Sequence, residues 1–205
     1  MSMINPETTR QGMVSGYRRM FWGVLLMLFH INIGPVQVLP KFLGYIIIAS
    51  GIGCIKRAAD TRVLGRASLA VVWCVIVSLM DFAQPFVGDV FAISRPVALL
   101  TSGVTAGIVM VLFYDIFRAS ARLLRDADAV LAADTDRCAR TFLVLHTIVS
   151  LGSLACIAIP NTLLMIAVAI IGLLVQIWLA AVFAGLKRRY AVEEVENEDP
   201  PEEES

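Results

Sequence analysis

The stretch FWGVLLMLFHINIGPVQVLPKFLGYIIIASGIGCIKR (21–57) decides how this chain is laid out. It reads either as one long apolar span or as two short arms folded back on each other. The charges around it choose between these. Arg18 and Arg19 flank one end; Lys56, Arg57, Arg62 and Arg66 flank the other. Short cytoplasmic loops of membrane proteins accumulate Lys and Arg. A single crossing would put one basic cluster outside and invert every later loop. A hairpin keeps both clusters on one side. Gly34, Pro35 and Pro40 supply the turn and a helix start, since proline is tolerated in a first helical turn.

Working outward, four further apolar runs follow, and the chain is expected to be all-α: a polytopic membrane bundle of six transmembrane helices with both termini cytoplasmic. The expected spans are 17–33, 40–55, 67–82, 95–117, 139–159 and 162–186. In this layout fifteen of the seventeen Lys and Arg lie on one side, and only Lys41 and Arg95 on the other. Composition agrees: 58% of residues are hydrophobic, 17% are charged, and the mean hydropathy is +0.78, outside the range of ordinary soluble domains. A helix crossing about 30 Å of hydrocarbon needs about 20 apolar residues, so the chain has room for six spans and little else. Arg18 and Arg19 precede an apolar run with no small-x-small cleavage site after it, so the first helix is expected to be retained.

Three segments fall outside the spans. Residues 1–16 are polar and expected to be loose. Residues 118–137 carry Leu123, Leu124, Ala127, Val130 and Leu131 at helical spacing, with an Arg122–Asp126 pair on the wetter side. They predict a cytoplasmic amphipathic helix that prolongs the fourth span. Eight of the seventeen acidic residues sit in the last thirteen positions, so 190–205 is expected to be an acidic, solvated, disordered tail.

Ionisable residues inside a membrane are costly and are functional candidates by default. His146 and Gln176 are each fifteen residues from Asn161 in the Pro160-Asn161 turn, so both stand about 22 Å from it and level with each other. A hydrogen bond between them, worth on the order of 0.6–2 kcal/mol, is the first expectation; a polar lining for a solute path is the second. Asp115, the third member of this candidate polar intramembrane site, precedes Arg118 by three residues, the spacing of an interfacial ion pair; a carboxylate facing a cavity, able to relay protons or bind a cation, is its second reading. On the outer face the candidates are His30 and Lys41, level across the first turn, and Asp81 with Arg95, able to pair across the third and fourth spans. Gly103 and Gly107 form a GxxxG that predicts close helix packing. Cys54, Cys74, Cys138 and Cys156 lack metal-ligand spacing and read as free buried thiols.

No GxxxxGK[ST], HExxH or GxSxG occurs, so neither a metal site, a cofactor nor a named reaction is expected. The basic loops are explained by orientation, with no aromatic-basic surface for nucleic acid. The expected partners are the lipid bilayer and either a membrane-protein partner or a second copy of the chain. Three function classes stand: a non-enzymatic accessory or interaction protein, a small solute or ion transporter, and, with too few converging acid-base groups, a membrane-embedded enzyme. A three-plus-three split of six spans would be inverted in topology, as in many transporters.

FWG (21–23), NIG (32–34) and LPKFLGYI (39–46) together resemble the N-terminal hairpin of small six-helix integral membrane proteins of Gram-positive-type bacteria, a family without an assigned activity. VSLMDF (77–82) and YDIFRAS (114–120) are similar in character to its later stretches. Where that pattern usually carries acids, this chain has His30 and Lys41. The resemblance implies a bacterial cytoplasmic (inner) membrane and the two-arm reading of 17–55.

Overall fold

Apolar runs without internal breakers satisfy their own backbone only as helices, and the computed structural model contains six of them. It describes residues 6–28, 32–33, 36–37, 40–59, 64–87, 95–125, 129–159 and 161–198. The helices are α1 (Pro6–Leu28), α2 (Lys41–Ala59), α3 (Leu64–Val87), α4 (Arg95–Leu124), α5 (Ala129–Ala158) and α6 (Thr162–Glu198). Between α1 and α2, β1 (Asn32–Ile33) pairs antiparallel with β2 (Val36–Gln37), Ile33 opposite Val36. That two-residue ladder brackets Gly34-Pro35. Asn161 caps α6: its Oδ1 accepts the backbone N–H of Leu163 at 2.9 Å and of Leu164 at 3.2 Å.

Each helix packs on its neighbours in sequence, and α6 returns to pack on α1. The result is an up-and-down ring in which adjacent helices run antiparallel, as short connections require. The core sits at the basic end. Phe117 and Phe183 stack with centroids 5.6 Å apart, Phe113 and Phe142 lie at 5.3 Å, and Phe117 and Phe142 at 6.1 Å. Tyr17, Met20, Ile55, Leu64 and Leu112 are fully buried around them. At the other end, residues 96–108, 143–158 and 162–174 of α4, α5 and α6 include no buried side chain among those described.

Four helices are by themselves long and apolar enough to cross a membrane: α3 over Leu64–Ala83, α4 over Leu99–Leu124, α5, and α6 over Thr162–Arg189. Their outward faces carry large apolar side chains left open, such as Leu69 at 75% and Leu163 at 78% exposure. A continuous apolar skin of this kind suits lipid and not water. Among the described residues, neither α1 nor α2 reaches that standard alone. The first half of α1 is polar, and α2 ends in Lys56 and Arg57.

Three expectations are corrected. The N-terminal segment is helical from Pro6, because Met13 and Tyr17 are drawn into the core and proline suits the first helical position. Residues 118–137 are not one helix. α4 stops at Leu124, Arg125 turns, and α5 starts at Ala129 behind Asp128, a residue type favoured as a helix cap. Leu124 and Leu131 are buried, but Val130, expected on the same stripe, is 74% exposed. Asp126, the expected partner of Arg122, lies outside the described residues. The acidic tail is helical as far as Glu198, since nothing breaks α6 before Pro200, whose ring disfavours helix at the preceding Asp199. Residues 199–205 lie outside the described part.

Candidate functional site

Among the described residues, Asp115 on α4 is the one acidic side chain that is inaccessible to solvent. Its partner is Arg66, in the first turn of α3. Arg66 Nε donates to Oδ2 at 3.1 Å and an Nη donates to Oδ1 at 2.7 Å, a two-pronged pair of the strong, planar kind. The expected Asp115–Arg118 pair is therefore corrected. Asp115 turns toward α3, whereas Arg118, three residues on, stays on the outward face with its guanidinium carbon 6.0 Å from the centre of the Tyr114 ring. Nearby, the Tyr17 hydroxyl of α1 donates to Ser120 Oγ of α4 at 2.7 Å, and Ser120 donates to the Ile116 carbonyl at 2.8 Å. Arg66, Tyr17 and Ser120 were not singled out from sequence. Their partners lie 49 and 103 residues away, and no local spacing signals them.

His146 on α5 lies against the aromatic core, its ring stacked on Phe142 at 5.2 Å and 18°. Its Nε2 is shielded from solvent and has no hydrogen-bond partner; the same is true of Thr105 Oγ1 on α4. Gln176 on α6 is half-buried, and no hydrogen bond joins it to His146, which corrects the expected pair. The two helices do come together on that side. A Cβ on Gly152 would stand 2.7 Å from Val168, and one on Gly172 3.6 Å from Val149, a register that sets Gln176 within a turn of His146. The imidazole faces the phenylalanines instead. An unpaired buried polar atom is a net cost, so His146→Leu is expected to leave thermal stability unchanged or raise it by up to about 1 kcal/mol. A marked drop in melting temperature in detergent would show that the imidazole holds the bundle together.

At the opposite end, Lys41 opens α2 and is exposed, and Asp81 near the end of α3 is exposed too. The Phe42 and Phe82 rings meet edge to face at 5.6 Å, which brings these two helix ends side by side. Arg95 opens α4, but its side chain, like His30 altogether, lies outside the described residues.

Gly103 and Gly107 do not carry helix packing: a Cβ at either would meet nothing within 4 Å. The close approach is between α1 and α2. A Cβ on Gly23 would lie 2.7 Å from the Gly44 carbonyl oxygen, and one on Gly44 the same distance from that of Gly23. Gly51 and Gly16 face each other likewise, at 2.8 and 3.0 Å, and Gly12 abuts Ala58. Gly16 and Gly23 are seven apart, as are Gly44, Gly51 and Ala58. That heptad recurrence was the legible signal. Beside it, Arg19 hydrogen-bonds Ser50, tying the same two helices.

Among the described residues, no three His, Cys, Asp or Glu side chains converge as metal ligands, and all four cysteines are free thiols. The chain is thus a helical bundle with four membrane-compatible helices among the described residues, and its fully buried carboxylate, Asp115, is neutralised within the protein. No family model, no curated protein and no solved structure matches it.

Proposed function

We propose that this is a multi-pass integral protein of the bacterial cytoplasmic membrane, crossing it six times with both termini inside. In this reading it acts as a non-enzymatic accessory or interaction protein. The observation that carries the reading is the stacked cluster of Phe113, Phe117, Phe142 and Phe183, which fills the ring at the basic end. An apolar, aromatic plug at that level obstructs a polar path along the bundle axis, and Asp115 beside it is held by Arg66. A protein that works through its surface needs no such path. The N-terminal hairpin supports six crossings: α1 and α2 pack at backbone distance, and Arg18–Arg19 and Lys56–Arg57 lie in the same half of the pair, Arg19 beside Ser50 and Gly12 against Ala58.

A second reading, a small solute or ion transporter, draws on the unpaired Nε2 of His146 and Oγ1 of Thr105 in the loosely packed half. Proteoliposomes separate the two. An accessory protein shows no flux, and keeps any partner recovered in mild detergent when His146 is replaced by leucine. Solute or ion flux that is lost in His146→Leu would establish the transporter.

The crossing number has its own test. In a background with the four native cysteines replaced, cysteine is introduced at Gln37 or at Asp60, and intact cells are treated with a membrane-impermeant thiol reagent. Labelling at 37 and protection at 60 are expected. The reverse pattern would mean that 17–55 pierces the bilayer once and that every later loop changes side.

A further inference from the structure

A guanidinium carries five N–H donors. Asp115 takes two from Arg66, and the rest stay open, the Arg66 side chain being 70% exposed. The carboxylate therefore fixes the orientation of the fork without covering it. Arg118, also exposed, has no ion pair among the described residues and lies over the Tyr114 ring. Tyr114 and Asp115 are consecutive on α4, so the two guanidinium groups that lie against them stand at the same turn of that helix. Arg66 and Asp115 neutralise each other, which leaves Arg118 as the uncompensated positive charge. From this patch the outward stripe of α4 runs toward the opposite end through Val111 and Gly107, both exposed. At Gly107 a Cβ would meet nothing within 4 Å, so the stripe carries no side chain there. On α3, Trp73 is exposed seven residues from Arg66.

A cationic fork at the junction of a basic end and an exposed apolar stripe fits an amphiphile with a phosphate head. We infer that the α3–α4 face at the basic end binds an anionic phospholipid, its phosphate held by Arg118 and Arg66 and an acyl chain lying over Gly107. A second copy of the chain is a poorer occupant, because a symmetric contact would bring like charges together. Free phosphate would leave the apolar stripe unused. The inference rests on the proposed topology, with the start of α3 and the end of α4 on the cytoplasmic side. Failure of that reading shows in the thiol-labelling pattern, and failure of this one in lipid preference.

The test uses the full chain in mild detergent with Trp73 as its sole tryptophan, through Trp22→Phe and Trp178→Phe. Its fluorescence is titrated with phosphatidylglycerol or phosphatidylcholine brominated on the acyl chains. Phosphatidylglycerol is expected to quench at the lower concentration. Arg118→Gln is expected to raise its half-quenching concentration about fivefold, equivalent to about 1 kcal/mol for one basic residue at an anionic surface. The phosphatidylcholine response should not move, which also reports an intact apolar face. Gly107→Leu should weaken quenching by both lipids. Equal quenching by the two lipids, or an unchanged phosphatidylglycerol response in Arg118→Gln, would overturn the site. Displacement of the lipid by millimolar inorganic phosphate would overturn it as well, leaving a small-anion site.

Discussion

Alanine at Gly51 or at Gly23 will loosen the N-terminal helix pair, while alanine at Gly53, two residues from Gly51, will not. The contrast is geometric. A methyl group at 51 would stand 2.8 Å from the Gly16 carbonyl oxygen, and one at 23 would stand 2.7 Å from that of Gly44; at 53 it meets nothing within 4 Å. Those obstacles are backbone, which cannot swing aside as a side-chain end would, so the helices must separate. In lipid there is no hydrophobic drive to hold them together, and close van der Waals contact between small residues is what remains. Overpacking of this kind costs about 1–3 kcal/mol, and each alanine is expected to lower stability by that amount. At Gly53 the better helix propensity of alanine instead adds roughly 0.5–1 kcal/mol. Thermal melts of the three variants in one detergent decide it. If Gly51→Ala and Gly53→Ala melt together, α1 and α2 do not touch at these glycines.

The second large effect is an asymmetry between the two members of one ion pair. Arg66→Ala will destabilise the protein more than Asp115→Asn, although each breaks the two-pronged pair. Asp115 is fully buried and Arg66 is 70% exposed. Losing the arginine strands a carboxylate with no solvent to turn to, a change that is strongly unfavourable. Losing the carboxylate frees a guanidinium that water or a lipid headgroup already reaches. The double variant should recover much of what Arg66→Ala loses, because it no longer buries an uncompensated charge. A double-mutant cycle of melting temperatures measures this coupling. Equal losses from the two single variants would mean that Asp115 has another way to be satisfied.

The hairpin over 17–55 was legible because charge and turn residues act there together: basic pairs at both ends, Gly34, Pro35 and Pro40 between. The helix start after Pro160-Asn161 was legible for a similar reason, since the Asn161 cap is a property of its own neighbourhood. The site was read far less well. Asp115 stood out as an intramembrane carboxylate, but its near neighbour Arg118 was assigned to it, when the partner comes from α3. His146 and Gln176 were placed level by counting residues from the turn. Rise along a helix fixes depth, whereas the direction a side chain faces depends on how the helix is rotated within the ring. GxxxG at 103–107 is the familiar motif of close packing, yet the glycines that touch are those of α1 and α2. A motif states that a helix can be approached closely, and leaves open which neighbour does so.

By itself the sequence determined that this chain is helical, that several of its helices are too apolar for water, and that its positive charge gathers at one end. These follow from the balance between each residue and its solvent, which needs no knowledge of partners. Only the tertiary structure decided that α6 closes the ring on α1, that Arg66 reaches Asp115, and that phenylalanines from α4, α5 and α6 fill the basic end. Such contacts join residues tens of positions apart. Whether they form depends on helix rotation and register, set by how all six surfaces pack at once.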